Sequence, residues 1–309
     1  MPDISIIIPH RGNALGLWAT IHSCAEDLKY SKLTYEFIVV TNGSELSVDQ
    51  KGLFQFTSSK VGNIHIVDPL SPPDARSTGA EVAEGSALFF FDDHCLVSRD
   101  YFRRALLTLD KGGIDVLHGA TKFYTDDPAQ HHYCLRLDYN FWGSPSPLPV
   151  DAAKPYKVAM AGHGAFVMPR ESWDKFGGYG PLGLLKGYGG EESLLDFKVW
   201  LSGGQVWLDP KLVHYHSPCG KTYQRHFTDD YYKNILKVAN VIGGDKWVCK
   251  LFDSFVDSSH VRVQSGKSWF DLLVEAQTES AQYADELSTR FVEPLDIFLM
   301  SCGERLIAR

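Results

Sequence analysis

The chain contains no apolar run near the roughly 20 residues that a membrane span needs, so hydropathy offers no spanning helix. Its six cysteines (Cys24, Cys95, Cys134, Cys219, Cys249 and Cys302) include no Cys-x-x-Cys pair. That spacing argues against a zinc site or a disulfide framework and fits a reducing compartment. No internal repeat, low-complexity tract or long block of like charge is present. The formal net charge of −8 argues against broad, sequence-independent nucleic-acid binding, although a local basic groove stays open. A first strand opening at Asp3 or Ile4 leaves no room for a signal peptide. A protein of the cytoplasm, in a bacterium or a virus-infected host, is therefore expected.

What is present reads as an ordinary globular chain, 44% hydrophobic and 22% charged. Its 309 residues suffice for one large α/β domain, or a domain with an appendage. Ile4–Ile8 is a β-strand pattern closed by Pro9, followed by a helical stretch over about 15–28. Strands are expected at 35–40 and 63–67, with a turn at Thr41-Asn42-Gly43-Ser44 after the first of these. Asp74 caps a helix through about Glu84, and Ala87-Leu88-Phe89-Phe90-Phe91 is a buried strand. This alternation predicts a mostly parallel, doubly wound sheet flanked by helices, whose strand ends share a crevice. Prolines at 145, 147 and 149 mark 142–149 as a loop. Residues 158–168 read as a strand interrupted by glycines. Seven glycines over 176–190 make a loop that needs unusual backbone angles or a close approach to a ligand. A helix over 191–200 follows, then extended pieces at 205–208 and 211–216. After about Gly220 the pattern turns helical, over 229–241 and 268–291, with Ser268 and Asp271 at capping-box spacing. The expected division is 1–220 for the α/β domain and 221–309 for a helical C-terminal extension.

Three segments carry chemistry. Asp92-Asp93-His94 stands at the tip of the Phe-rich strand, where oxygen and nitrogen donors suit Mn²⁺ or Mg²⁺. Glu191 and Glu192 open a helix after the glycine loop. His214 and His216 alternate on an extended piece and face one side. Each has a plainer reading as well: a strand-ending turn, carboxylates favoured by a helix dipole, and structural imidazoles.

In order along the chain, these pieces resemble a nucleotide-sugar-dependent glycosyltransferase of the GT-A fold. Ser5-Ile6-Ile7-Ile8-Pro9, Val39-Val40-Thr41-Asn42-Gly43-Ser44 and Ala75-Arg76-Ser77-Thr78-Gly79 follow the family 2 pattern. Asp92-Asp93-His94-Cys95 is similar to the Asp-x-His-Cys motif of the polypeptide N-acetylgalactosaminyltransferases (family 27). So is Gly189-Gly190-Glu191 followed by Val199-Trp200-Leu201-Ser202-Gly203-Gly204, and so is the spacing of Pro210 to His216. The Gly-Gly-Glu-Glu segment also looks like that of the β-1,4-galactosyltransferases. The resemblance spans about residues 3–220.

It implies a GT-A fold, with a Rossmann-like central sheet, that uses a UDP-sugar donor with Mn²⁺ or Mg²⁺. Asp92, His94 and His216 would hold the metal, with His214 as the alternative to His216. Pro9, Arg11, Asn42, Arg76, Asp93 and Arg225 would contact the donor, Arg225 with Lys221 and Tyr223 on a segment able to close over it. Glu191 would bind sugar hydroxyls or steer the acceptor, and Glu192 would be the base. Two departures bear on the outcome. Asn42 stands where the family carries an acidic residue. Glu192 stands where the retaining relatives carry an amide, which favours an inverting reaction. The acceptor is a glycan, a protein or a hydroxylated nucleobase in DNA. The last would need a basic face from Lys221, Arg225, His226, Lys233, Lys237, Lys246 and Lys250. The C-terminal helices are open to two roles, acceptor recognition or a homodimer contact. A nucleotidyltransferase would show a glycine-rich basic loop after the first strand, where Pro9-His10-Arg11-Gly12-Asn13 stands. A non-catalytic sugar-nucleotide-binding protein would lack part of this ligand set.

Overall fold

The computed structural model describes residues 1–12, 14–41, 64–67, 72–123, 133–137, 143–147, 153–162, 164–181, 183–216, 228–257 and 263–302. The first half keeps the expected rhythm: β1 (Ile4–His10), α1 (Ala14–Leu28), β2 (Tyr35–Thr41), β3 (Ile64–Val67), α2 (Pro72–Val82) and β4 (Ala87–Phe91). These four strands pair in parallel in the order β3-β2-β1-β4. Alternation sorts their side chains. Ile4, Ile6, Ile8, Phe37, Val39, Phe89 and Phe91 pack on one face, beneath α1. Ile7, Ile38, Val40, Leu88 and Phe90 pack on the other, with Ala75 and Ala80 of α2. Gly79 lets α2 settle there, since a Cβ would lie 2.5 Å from Cγ2 of Ile7.

Pro9 does not close β1, which continues to His10. Pairing with β4 ends at Ile7, so the missing proline N–H costs that side no ladder bond. Helix α2 begins two residues before Asp74, with Pro72 and Pro73 in its first turn, where N–H groups have no intrahelical partner.

Beyond β4 come β5 (Cys95–Val97), α3 (Tyr101–Leu109), β6 (Val116–Phe123), β7 (Tyr133–Leu137), β8 (Gly143–Pro147), β9 (Tyr156–Lys157) and β10 (Ala165–Pro169). Then follow α4 (Arg170–Phe176), α5 (Glu191–Leu201) and β11 (Val206–His216). The sheet becomes mixed here. β10 lies antiparallel to both β4 and β6, and only β6–β11 is parallel. Residues 143–147 form a strand rather than the expected loop. Among the described residues β8 pairs with β7 alone, an edge position where prolines at 145 and 147 are tolerated. The strand expected over 158–168 is confined to β10. The two extended pieces expected at 205–216 are one strand, bulged between Asp209 and Val213. The buried Asp209 carboxylate holds this bulge by accepting from Nε and Nη2 of Arg104 at 2.9 and 3.0 Å and from the Lys211 N–H at 2.9 Å.

The C-terminal segment folds as α6 (Asp229–Gly243), α7 (Asp245–Asp257), α8 (Trp269–Ser288) and α9 (Leu295–Cys302). Ser268 and Asp271 make the capping box of α8. These helices share one apolar cluster with α5, in which Leu194, Phe197 and Leu201 meet Leu236, Ala239, Val248, Leu251 and Phe298. Among the described residues, no helix is long and apolar enough to cross a membrane.

Candidate functional site

The bulge in β11 decides which residues meet. Past it, β11 pairs antiparallel with β5, setting His216 opposite Cys95 and His214 opposite Val97. β5 is anchored to α1, whose Thr20 and Ser23 hydroxyls accept the N–H groups of Cys95 and Val97 at 3.0 and 2.9 Å. His94, one residue before Cys95, is thereby brought to His216. Their Nε2 atoms are 3.1 Å apart, and Nε2 of His216 is 3.3 Å from Oδ2 of Asp92. One ligand atom each from Asp92, His94 and His216 lies within 4.8 Å of the other two. Gly164 makes room, because a Cβ there would stand 2.8 Å from the His216 ring.

Asp93 and His10 shape this cluster from behind. Oδ1 of Asp93 accepts from Nδ1 of His94 at 2.8 Å, and Oδ2 accepts from Nδ1 of the buried His10 at 2.7 Å. With Nδ1–H of His94 committed to a carboxylate, a neutral ring keeps its Nε2 lone pair directed at Asp92 and His216. The Arg11 N–H also reaches Oδ2 of Asp93, at 3.4 Å. The sequence motifs do not mark His10. Its signal was the period of two in β1, which places it in line with buried Ile4, Ile6 and Ile8 at the crevice end.

Arg76 joins the cluster to the second acidic motif. It is 4% exposed, and its Nη2 donates to Oδ1 of Asp92 at 2.6 Å. Its guanidinium lies 5.9 Å from the centre of the Tyr179 ring. It also feels the charges of Glu191 and Glu192. Burial works to raise the Asp92 pKa, but the His216 hydrogen bond and the Arg76 charge outweigh it and hold the carboxyl well below its ordinary value. Asp93 is likewise lowered, burial being overcome by hydrogen bonds from His10 and His94. Burial would lower the His94 pKa, and its bond to Asp93 raises it instead.

The two glutamates separate. Glu191 is buried, and its Oε2 accepts the Gly189 N–H at 2.8 Å. Burial first, and the Glu192 charge second, push its pKa up to about 8, against the pull of Arg76. Glu192 is half-buried at the start of α5. His214 stays outside the cluster. It is fully buried with Nε2 3.0 Å from the Thr121 hydroxyl, and burial drives its pKa down to about 3. Both imidazoles do face one side, against Gly164, but only His216 reaches Asp92. Pro9 lies within β1, and Arg11 follows its last residue with its N–H turned to Asp93. Asn42, Lys221, Tyr223 and Arg225 lie outside the described residues. Of the expected basic face, Lys233 and Lys237 pair with Glu279 at 3.1 and 2.5 Å, and Lys246 pairs with Asp296 at 2.6 Å. Lys250 lies over the Trp247 ring.

Residues 5–177 match the family model described as glycosyl transferase family 2. The chain belongs to that family. Its family 2 segment holds Arg76, Asp92, Asp93 and His94, while Glu191, Glu192 and His216 follow it. Polypeptide N-acetylgalactosaminyltransferase 11 of Xenopus tropicalis is 27% identical over 272 residues, which cover 78% of this chain and 43% of that protein. The chain thus spans less than half the length of that relative. A crystal structure of GalNAc-T7 with UDP, GalNAc and Mn²⁺ superposes with a TM-score of 0.70 at 18% identity, covering 94% of this chain and 57% of that one. S. aureus TarS 1–349 in complex with UDP-GlcNAc gives 0.60 at 14% identity, covering 92% and 83%. At these identities the two structures establish the fold, which is GT-A.

Proposed function

We propose that this family 2 chain transfers a sugar from a UDP-sugar to a hydroxyl acceptor with the help of Mn²⁺. The observation that carries this reading is the convergence of Asp92, His94 and His216 at the carboxyl ends of the sheet, within 4.8 Å. The donor set suits the ion: one ionised carboxylate and two imidazoles, one with its tautomer fixed by Asp93. When bound, Mn²⁺ supplies Lewis acidity to the diphosphate as the sugar leaves. Mg²⁺ is the second choice, since it usually keeps several waters and binds through carboxylates. Superposition on a GalNAc-T7 structure with UDP and Mn²⁺ supports both the donor class and the metal.

The chain's own groups do the remaining work. Arg76 keeps fixed positive charge beside Asp92, where negative charge grows on the leaving diphosphate. Pro9 near the end of β1, Arg11 just past it and, beyond the described residues, Asn42 would contact the nucleoside. Arg225, outside the described residues, is the remaining donor-contact candidate. Glu192 takes the proton of the acceptor hydroxyl, and Glu191, turned back onto Gly189, fixes the turn that presents it. A carboxylate at Glu192 favours inversion. The proposed division is 1–220 for the α/β transferase part and 221–309 for the helical extension that covers the apolar face of α5. The pairing of Lys233, Lys237 and Lys246 with acidic side chains weakens the case for a DNA base as acceptor and leaves a glycan or a protein ahead.

The test is a donor screen. UDP-GlcNAc and UDP-GalNAc are incubated with the protein and Mn²⁺, with Mn²⁺ plus excess EDTA, and with candidate acceptors, and UDP release is recorded. Metal-dependent release is expected for at least one donor. Release that survives EDTA, or none with any UDP-sugar, refutes the reading.

A further inference from the structure

Helix α6 lies beyond the family 2 segment, yet its side chains hold the loop that leads into Glu191. Asn234 is fully buried. Its Oδ1 accepts the Lys186 N–H at 3.1 Å, and its Nδ2 donates to the carbonyls of Lys186 and Tyr188 at 2.7 and 3.3 Å. One amide thus satisfies the donor and the acceptor of Lys186, much as a neighbouring strand would. One turn along α6, the buried Lys237 donates to the Leu184 carbonyl at 3.0 Å.

The steric fit is as close as the polar one. A Cβ on Gly189 would lie 2.4 Å from the Tyr231 ring, and one on Gly190 would lie 3.1 Å from Val238. Both glycines have positive φ, 112° and 84°, which strains any other residue. Helix α6 therefore presses on the last two residues before the glutamates and pins the backbone just ahead of them. From that turn the Gly189 N–H closes on Glu191.

We propose that Asn234 is a positioning residue. By fixing residues 186–188 it sets where Gly189 and Gly190 deliver Glu191 and Glu192 relative to Arg76. The role rests on the reading of Glu192 as the base. It assigns α6 to holding the turn that carries Glu191 and Glu192.

Two variants test this. Asn234→Asp keeps the shape and the acceptor but loses both N–H donors, and Asn234→Ala loses all three bonds. Asn240→Ala is the control. It breaks an α6–α8 bond to Ser280 at 2.8 Å without touching the loop. Three quantities are read: calorimetric affinity for UDP with Mn²⁺, hydrolysis of UDP-GlcNAc and UDP-GalNAc, and amide exchange over residues 184–192. The Asn234 variants should bind UDP within about twofold of wild type and lose about a hundredfold in turnover, the scale of a 1 Å misplacement. Exchange over 186–190 should quicken about tenfold or more, as two or three buried bonds are lost. Asn240→Ala should match wild type in all three. Unchanged exchange, or UDP affinity falling in step with turnover, overturns the assignment. If wild type hydrolyses neither donor, the transferase reading falls. Exchange over 186–190 then decides the clamp alone: faster exchange upholds it, and unchanged exchange sinks it.

Discussion

The Nε2 atoms of His94 and His216 lie 3.1 Å apart across 122 residues of chain. Two ring nitrogens with Asp92 alongside form a donor set that one cation could share. Asp92→Ala and His216→Ala should each abolish saturable Mn²⁺ binding, followed by the loss of free Mn²⁺ resonance signal on titration. His214→Phe, altering the buried neighbour, should leave that binding in place. Retention of wild-type affinity by Asp92→Ala would remove the cluster from consideration.

His10 acts at one remove. It holds Oδ2 of Asp93, whose Oδ1 holds His94. Loss of such an outer partner costs about 10- to 100-fold in metal affinity. His10→Ala should weaken Mn²⁺ binding by that order, and His10→Asn, with a side-chain N–H, should recover part of it. Equal affinities in wild type and both variants would mean that Asp93 orients His94 unaided.

Glu192 is the proposed base for the acceptor hydroxyl. Glu192→Gln keeps the helix start and the shape but cannot accept a proton. Transfer should fall below detection while UDP and Mn²⁺ bind as in wild type. Full transfer in the variant would mean that the proton goes elsewhere.

Glu191 gives the fold a dependence on pH. Its folded pKa, near 8, is above the unfolded value, so the folded chain holds the proton more tightly. The stabilisation is complete below the unfolded pKa and is lost as pH rises through about 8. The melting temperature should drift down between about pH 5 and about pH 9. Glu191→Gln should flatten part of that slope, since an amide has no proton to release. Parallel curves for the two proteins would show that Glu191 is not the group responsible.

Much of the site was legible because its residues end strands whose hydrophobic pattern is plain. Ala87–Phe91 is too short for a helix and apolar throughout, so Asp92 had to fall at a strand tip. The glycine loop announced the start of α5 in the same way. What stayed hidden depends on contacts distant in sequence. β11 looked like two pieces because Asp209 and Pro210 interrupt its pattern, and the Arg104 that steadies the break comes from α3. The choice between His214 and His216 turns on pairing with β5, a three-residue strand with no periodicity to read. β8 was missed because an edge strand accepts the prolines that a central one refuses. His10 was passed over because an imidazole at a strand end is informative only once Asp93 is known to face it.

The apolar seam between α5 and the C-terminal helices has a practical corollary. A fragment cut after His216 would bare Leu194, Phe197 and Leu201 to water, and with them the helix that begins at Glu191. Such a piece should precipitate on expression rather than survive as a minimal enzyme. Insertions or fusions meant to retarget the protein would be better borne at the exposed Gly266 than by any shortening.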